Sequence, residues 1–135
     1  MKISVSDGTM VFEQGSVERR LLRQEFLQTP LGKSAQPELI NKEWWHLHVK
    51  PEAGIAANVL FRRDRLHQIY LAMGIPSDQD PSGWTEDHEL ERKALHDTWL
   101  MREIGEPPYC YAWGSIASEY DAKGCVSEII VTYAE

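Results

Sequence analysis

The stretch Tyr111-Ala112-Trp113-Gly114-Ser115-Ile116-Ala117-Ser118-Glu119-Tyr120, followed across Asp121-Ala122-Lys123-Gly124 by Cys125-Val126-Ser127-Glu128-Ile129-Ile130-Val131-Thr132-Tyr133, reads as two strands and a turn. Its second arm is dense in β-branched residues, and side chains in a strand alternate between faces. Folding the two arms about Asp121–Gly124 sets Ile116 against Ile129 and Ser118 against Ser127. The same register would place Trp113 opposite Thr132, so a bulge at Gly114-Ser115 is expected, bringing Trp113 onto Val131 and Tyr111 onto Tyr133. Cys110 then lies about ten residues up the strand from the turn at Cys125, ~33 Å away at strand rise. That separation forbids a disulfide, and two free thiols fit a reducing compartment.

Working outward, Ile55 to Arg62 and Leu66 to Met73 read as two more strands joined at Arg63-Asp64-Arg65, with Val59 and Phe61 facing the same core as Ile69 and Leu71. Trp44 to Lys50 alternates, with Trp45, Leu47 and Val49 on one face and Trp44, His46 and His48 on the other. Near the start, Asp7-Gly8 is a hairpin signal that pairs Val5 with Met10 and Ile3 with Phe12. Ser16 is a candidate N-cap for a helix carrying Val17, Leu21, Leu22 and Phe26 and ending at Thr29-Pro30. A second helix is predicted from Thr85 to about Ile104, with Glu86, Asp87 and Glu89 at its positive end and Gly105 as its stop. Residues 31–42 read as loop, with one short turn of helix as the alternative. The expectation is an α+β domain spanning 1–135, in which about seven antiparallel strands pack against two helices in the order β-β-α-β-β-β-α-β-β.

Apolar residues make up 42% of the chain and charged residues 26%, a balance that supports a packed core without disulfides or metal. The formal charge of −7 argues against nucleic acid and anionic membrane as partners, since both demand clustered Lys and Arg. The segment Met1 to Gly8 has neither a secretory apolar region nor a membrane span, which makes a cytoplasmic location the expectation.

One local field stands out. No Lys or Arg occurs between Leu66 and Glu91, while Asp78, Asp80, Glu86, Asp87 and Glu89 accumulate there, a surface suited to a basic protein partner. Within it, Asp78-Gln79-Asp80-Pro81-Ser82-Gly83 with Glu89 approaches the spacing of a calcium loop, making Asp78, Asp80, Ser82 and Glu89 candidate ligands. Ser82 replaces the usual third Asp or Asn, and a strand precedes the loop instead of a helix. By angle on the predicted helix, Leu90, Ala94, Met101 and Ile104 form the core stripe and Asp97 falls among them as a candidate buried acid. His96 beside Asp97 raises a hydrolase reading. No nucleophile elbow, phosphate-binding glycine loop, Cys-x-x-Cys or His-Glu-x-x-His supports catalysis. Trp44, His46 and His48 offer a ligand platform if their strand face is open, and core residues if a helix covers it. The arginines at 19, 20, 23, 62, 63 and 65 are offset by nearby acids.

The run Tyr111 to Gly124 with Ile129 to Tyr133, the segment Glu25-Phe26-Leu27-Gln28-Thr29-Pro30-Leu31-Gly32 and the segment His96-Asp97-Thr98-Trp99-Leu100 together resemble parts of certain small bacterial proteins, over about a third of the chain. Some of those are similar to immunity proteins of polymorphic interbacterial toxin systems. The resemblance implies a protein that binds and neutralises one cognate toxin; separately, no cofactor is expected apart from the calcium that the Asp78–Glu89 loop would take.

Overall fold

The computed structural model describes residues 1–135. The chain forms strands β1 (Lys2–Ile3), β2 (Met10–Phe12) and β3 (Gly15–Val17), short helices α1 (Arg23–Gln28) and α2 (Pro30–Lys33), and strands β4 (Gln36–Leu39), β5 (Trp44–Glu52), β6 (Ile55–Arg62) and β7 (Arg65–Met73). A single 3₁₀ turn (Pro76–Gln79) leads to the long helix α3 (Glu86–Ile104), and β8 (Tyr109–Tyr111), β9 (Gly114–Asp121) and β10 (Val126–Tyr133) close the chain. The architecture is α+β, with a three-stranded sheet β1-β2-β3 and a seven-stranded sheet β4-β5-β6-β7-β10-β9-β8, both antiparallel.

Three of the ten strands, β3, β4 and β8, were not expected from the sequence. Gly15–Val17 pairs with β2 instead of opening a helix. Leu21 and Leu22 are extended as well, with Leu66 N–H donating to Leu21 O at 2.9 Å and Leu22 bridging Arg65. These contacts with β7 hold the helix back to Arg23, where Glu25 Oε1 accepts from Leu22 N–H at 3.1 Å. Pro37 sits in β4 at the edge of the large sheet, where a missing donor is tolerated.

The terminal hairpins differ in register from the expectation. Ile3 pairs with Met10, not Phe12, because residues 4–9 form a longer loop in which Thr9 N–H bonds Asp7 Oδ1 at 2.9 Å. In the C-terminal hairpin Val131 faces Ile116 and Ile129 faces Ser118, around a turn at Ala122 to Cys125 in which Cys125 takes φ 54°. The β9–β10 ladder runs without a bulge to Tyr133 opposite Gly114. The chain instead doubles back at Ala112-Trp113, so that Tyr111 pairs with Gly114. Gly114 is required there: its φ is 151° and a Cβ would lie 1.9 Å from Thr132 O. The β6–β7 turn is the two-residue type, with Arg63 and Asp64 both at positive φ.

Leu47, Val59, Ile69, Leu71, Ile129 and Val131 line one face of the large sheet and are buried. The small sheet, α1 and α3 all cover this face, with Phe26 of α1 against Phe61 at 5.6 Å between ring centroids. The opposite face carries cross-strand rows of mixed character. Glu38, His46, Leu60, Gln68, Thr132 and Ser115 form one row across six strands. No helix is long and apolar enough to cross a membrane.

Candidate functional site

Helix α3 begins as the sequence predicts, with Thr85 as N-cap and Gly105 at φ 88° as its end. Its orientation departs from the hydrophobic reading at Leu90, Ala94 and Met101, which are exposed, while Ile104 packs against the core as that reading expects. The buried side chains are His88, Glu89, Arg92, His96 and Leu100, whereas Leu90 (44%), Leu95 (38%) and Met101 (47%) are exposed. Trp84, just before the helix, is also exposed. Asp97, expected among core residues, lies outside and pairs with Lys93 Nζ at 2.7 Å.

The polar face is buried because it meets partners from distant parts of the chain. Arg92 donates to Met73 O, to both oxygens of Asp78 and to Glu89 at 3.1 Å. Glu89 also accepts from Trp84 Nε1 at 3.0 Å and from Ser127 N–H at 2.9 Å. Asp78 Oδ2 accepts from Ile75 N–H at 3.0 Å. The network ties the 3₁₀ turn, the end of β7 and the start of β10 to α3. Bonds from Arg92, together with the Ile75 amide, hold the Asp78 carboxyl down at about 2 against a smaller push from burial. Burial pushes Glu89 upward, yet its bonds from Arg92, Trp84 and Ser127 outweigh that and keep it below the usual range.

The acidic loop is therefore a structural node. Asp78 and Glu89 both turn to Arg92, Asp80 accepts from Ser82 Oγ at 2.7 Å, and Asp78, Asp80, Ser82 and Glu89 do not converge on one point as a calcium cage would. Of the residues read as partner-binding, Asp80, Glu86 and Asp87 are exposed, Asp78 is partly occupied by Arg92, and Glu89 is buried. His96 is sealed in the core, its Nε2 accepting from Met73 N–H at 3.0 Å. It cannot meet a substrate together with the exposed Asp97, which removes the geometry that the hydrolase reading needs.

Charge is separated along the strands. Glu86 and Asp121 both lie beside Tyr120 near the β9–β10 turn, and Asp80 lies 3.9 Å from His88 in the first turn of α3. The opposite end holds Arg20, Arg62, Arg63 and Arg65 around a pocket of about 440 Å³. Acids temper it: Arg62 pairs with Glu135 at 3.3 Å, Arg63 with Glu43 at 3.1 Å and Arg23 with Asp64 at 3.1 Å.

The face bearing Trp44, His46 and His48 is not covered by a helix. Trp44 packs edge-on against His67 at 5.1 Å with Arg62 over its ring, and His46 is half-buried. Glu38 lies directly opposite His46 on β4, and the ligating atoms of Glu38, His46 and His48 all fall within 4.8 Å of one another. This is the cluster whose donor set can hold a metal ion. Alternation in β5 makes the two histidines legible as neighbours; Glu38 carried no sequence signal.

No family model, curated protein or solved structure matches this chain.

Proposed function

We propose that the protein is a non-catalytic binding protein of the immunity type, which captures a basic protein partner on the outward face of α3. The observation that carries this reading is the rotated helix: Leu90 stands outside near the start of α3, after the exposed Trp84 and among the exposed Glu86, Asp87 and Glu91, and Met101 stands outside about three turns further along. Apolar anchors inside a charged rim are the anatomy of a protein interface, and rim charges of one sign accelerate association with a partner of the other. A second copy of the chain would bring acid against acid, so the complementary occupant is basic.

The test is calorimetry of the purified chain with the protein encoded beside it. The expected outcome is a stable complex whose association slows with salt, is slowed by Glu86→Gln with Asp87→Asn, and loses at least about tenfold in affinity with Leu90→Ser and Met101→Ser. A complex indifferent to both pairs of substitutions, no complex, or self-association through α3 would overturn the proposal.

A further inference from the structure

We propose that Glu38, His46 and His48 form a site for one divalent transition-metal ion of the zinc class, with Asn58 as the positioning residue for His48. This inference is independent of the partner-binding surface, which lies on the far side of the large sheet.

The placement follows from strand pairing. Glu38 on β4 is the direct cross-strand partner of His46 on β5, and His48 is two residues along on the same face. Facing residues in an antiparallel pair have Cβ atoms ~5 Å apart and diagonal ones ~7–8 Å, so the Glu38, His46 and His48 side chains are long enough to bring their three donors together, as they do here. His48 Nε2 is 3.2 Å from Glu38 Oε2. Two donors on a tetrahedral zinc ion, each ~2.0–2.1 Å from it, are themselves ~3.3 Å apart. The observed spacing is therefore that of two ligands along one edge of a coordination tetrahedron.

The tautomer points the same way. His48 Nδ1 lies against the Oδ1 of Asn58, its cross-strand neighbour on β6. With Asn58 presenting its oxygen, which only accepts, a neutral His48 carries its proton on Nδ1 and turns the Nε2 lone pair toward Glu38. A lone pair and a carboxylate facing each other need a cation between them. A proton would satisfy these two groups, but His46 supplies a third donor to the same space, with its ring edge-on to His48 at 6.2 Å between centroids. Leu60, buried opposite His46 on β6, gives the site an apolar floor. His48 and Glu38 are exposed, leaving the remaining coordination position open to water or to a donor from outside.

The test uses the untagged full chain, titrated with zinc by calorimetry and with cobalt by visible absorption, while the histidine ring signals are followed by NMR. One ion should bind per chain, with the His46 and His48 signals moving and those of His67, His88 and His96 staying in place. His46→Ala should lower affinity at least about a hundredfold and Asn58→Ala about tenfold, and replacing both cysteines with serine should leave it unchanged. Binding that survives His46→Ala, disappears with the cysteines or moves other histidines would overturn the proposal. So would titration of the wild-type chain that shows only a His48–Glu38 proton pair and no metal uptake.

Discussion

Gly8 lies against the ring of Trp113: a Cβ on Gly8 would fall 2.5 Å from Trp113 Cε3, and the Trp113 indole N–H donates to Val5 O at 2.8 Å. The N-terminal loop and the β8–β9 turn, more than a hundred residues apart, are thus fitted to each other at one point. The glycine serves this contact as much as its own turn, in which its φ is +80°.

Gly8→Ala should cost about 2–4 kcal/mol, combining left-handed strain with overlap on the ring. Gly54 has nearly the same φ, +79°, with nothing within 4 Å of its Cβ position. Gly54→Ala should therefore cost only about 1–2 kcal/mol. Urea unfolding of the two variants isolates the Trp113 contact as their difference, and equal costs would deny it.

The Arg92 node should behave as a buried ion pair. Arg92→Met leaves Glu89 without its principal partner in a dry environment and should cost about 3–5 kcal/mol. Adding Glu89→Met should recover part of that loss, because the second substitution removes the stranded charge. In a double-mutant cycle the two costs should fall short of additivity by at least about 1 kcal/mol.

Acid sensitivity should reside partly in His96. Burial, reinforced by the Arg92 guanidinium, lowers its pKa from 6.5 to about 4. Between those values the unfolded chain binds a proton that the folded chain refuses, so stability falls as the pH drops from 6.5 toward 4 and the loss levels off below. The full effect is about 3 kcal/mol. Denaturant midpoints at pH 7, 5.5 and 4.5 should decline more steeply in the wild type than in His96→Gln; parallel declines would assign the sensitivity elsewhere.

The large sheet was legible because its central strands obey a two-residue alternation: Leu47 and Val49, Val59 and Phe61, and Ile69 and Leu71 all face inward as their spacing requires. The ends of α3 were legible from Thr85 and Gly105, which act locally. Its rotation was not, since what buries Glu89, Arg92 and His96 is a set of groups at Met73, Asp78 and Ser127 that no helical wheel contains. The same limit applies to Val17, whose helix-like spacing with Leu21 and Phe26 gave way to pairing with Met10 on β2. Glu38 escaped notice because β4 contains Pro37 and has no alternation; only its partner strand defines it.

The orientation of α3 underlies both the buried network and the proposed docking surface. It is tested most directly by the unfolding free energy of the Leu90→Ser, Met101→Ser chain without any partner. Because these side chains stand outside the core, the expected change is within about 1 kcal/mol of wild type in total. A loss of about 4 kcal/mol or more, the size expected when two buried aliphatic side chains are truncated, would mean that this face is buried and would contradict the helix orientation.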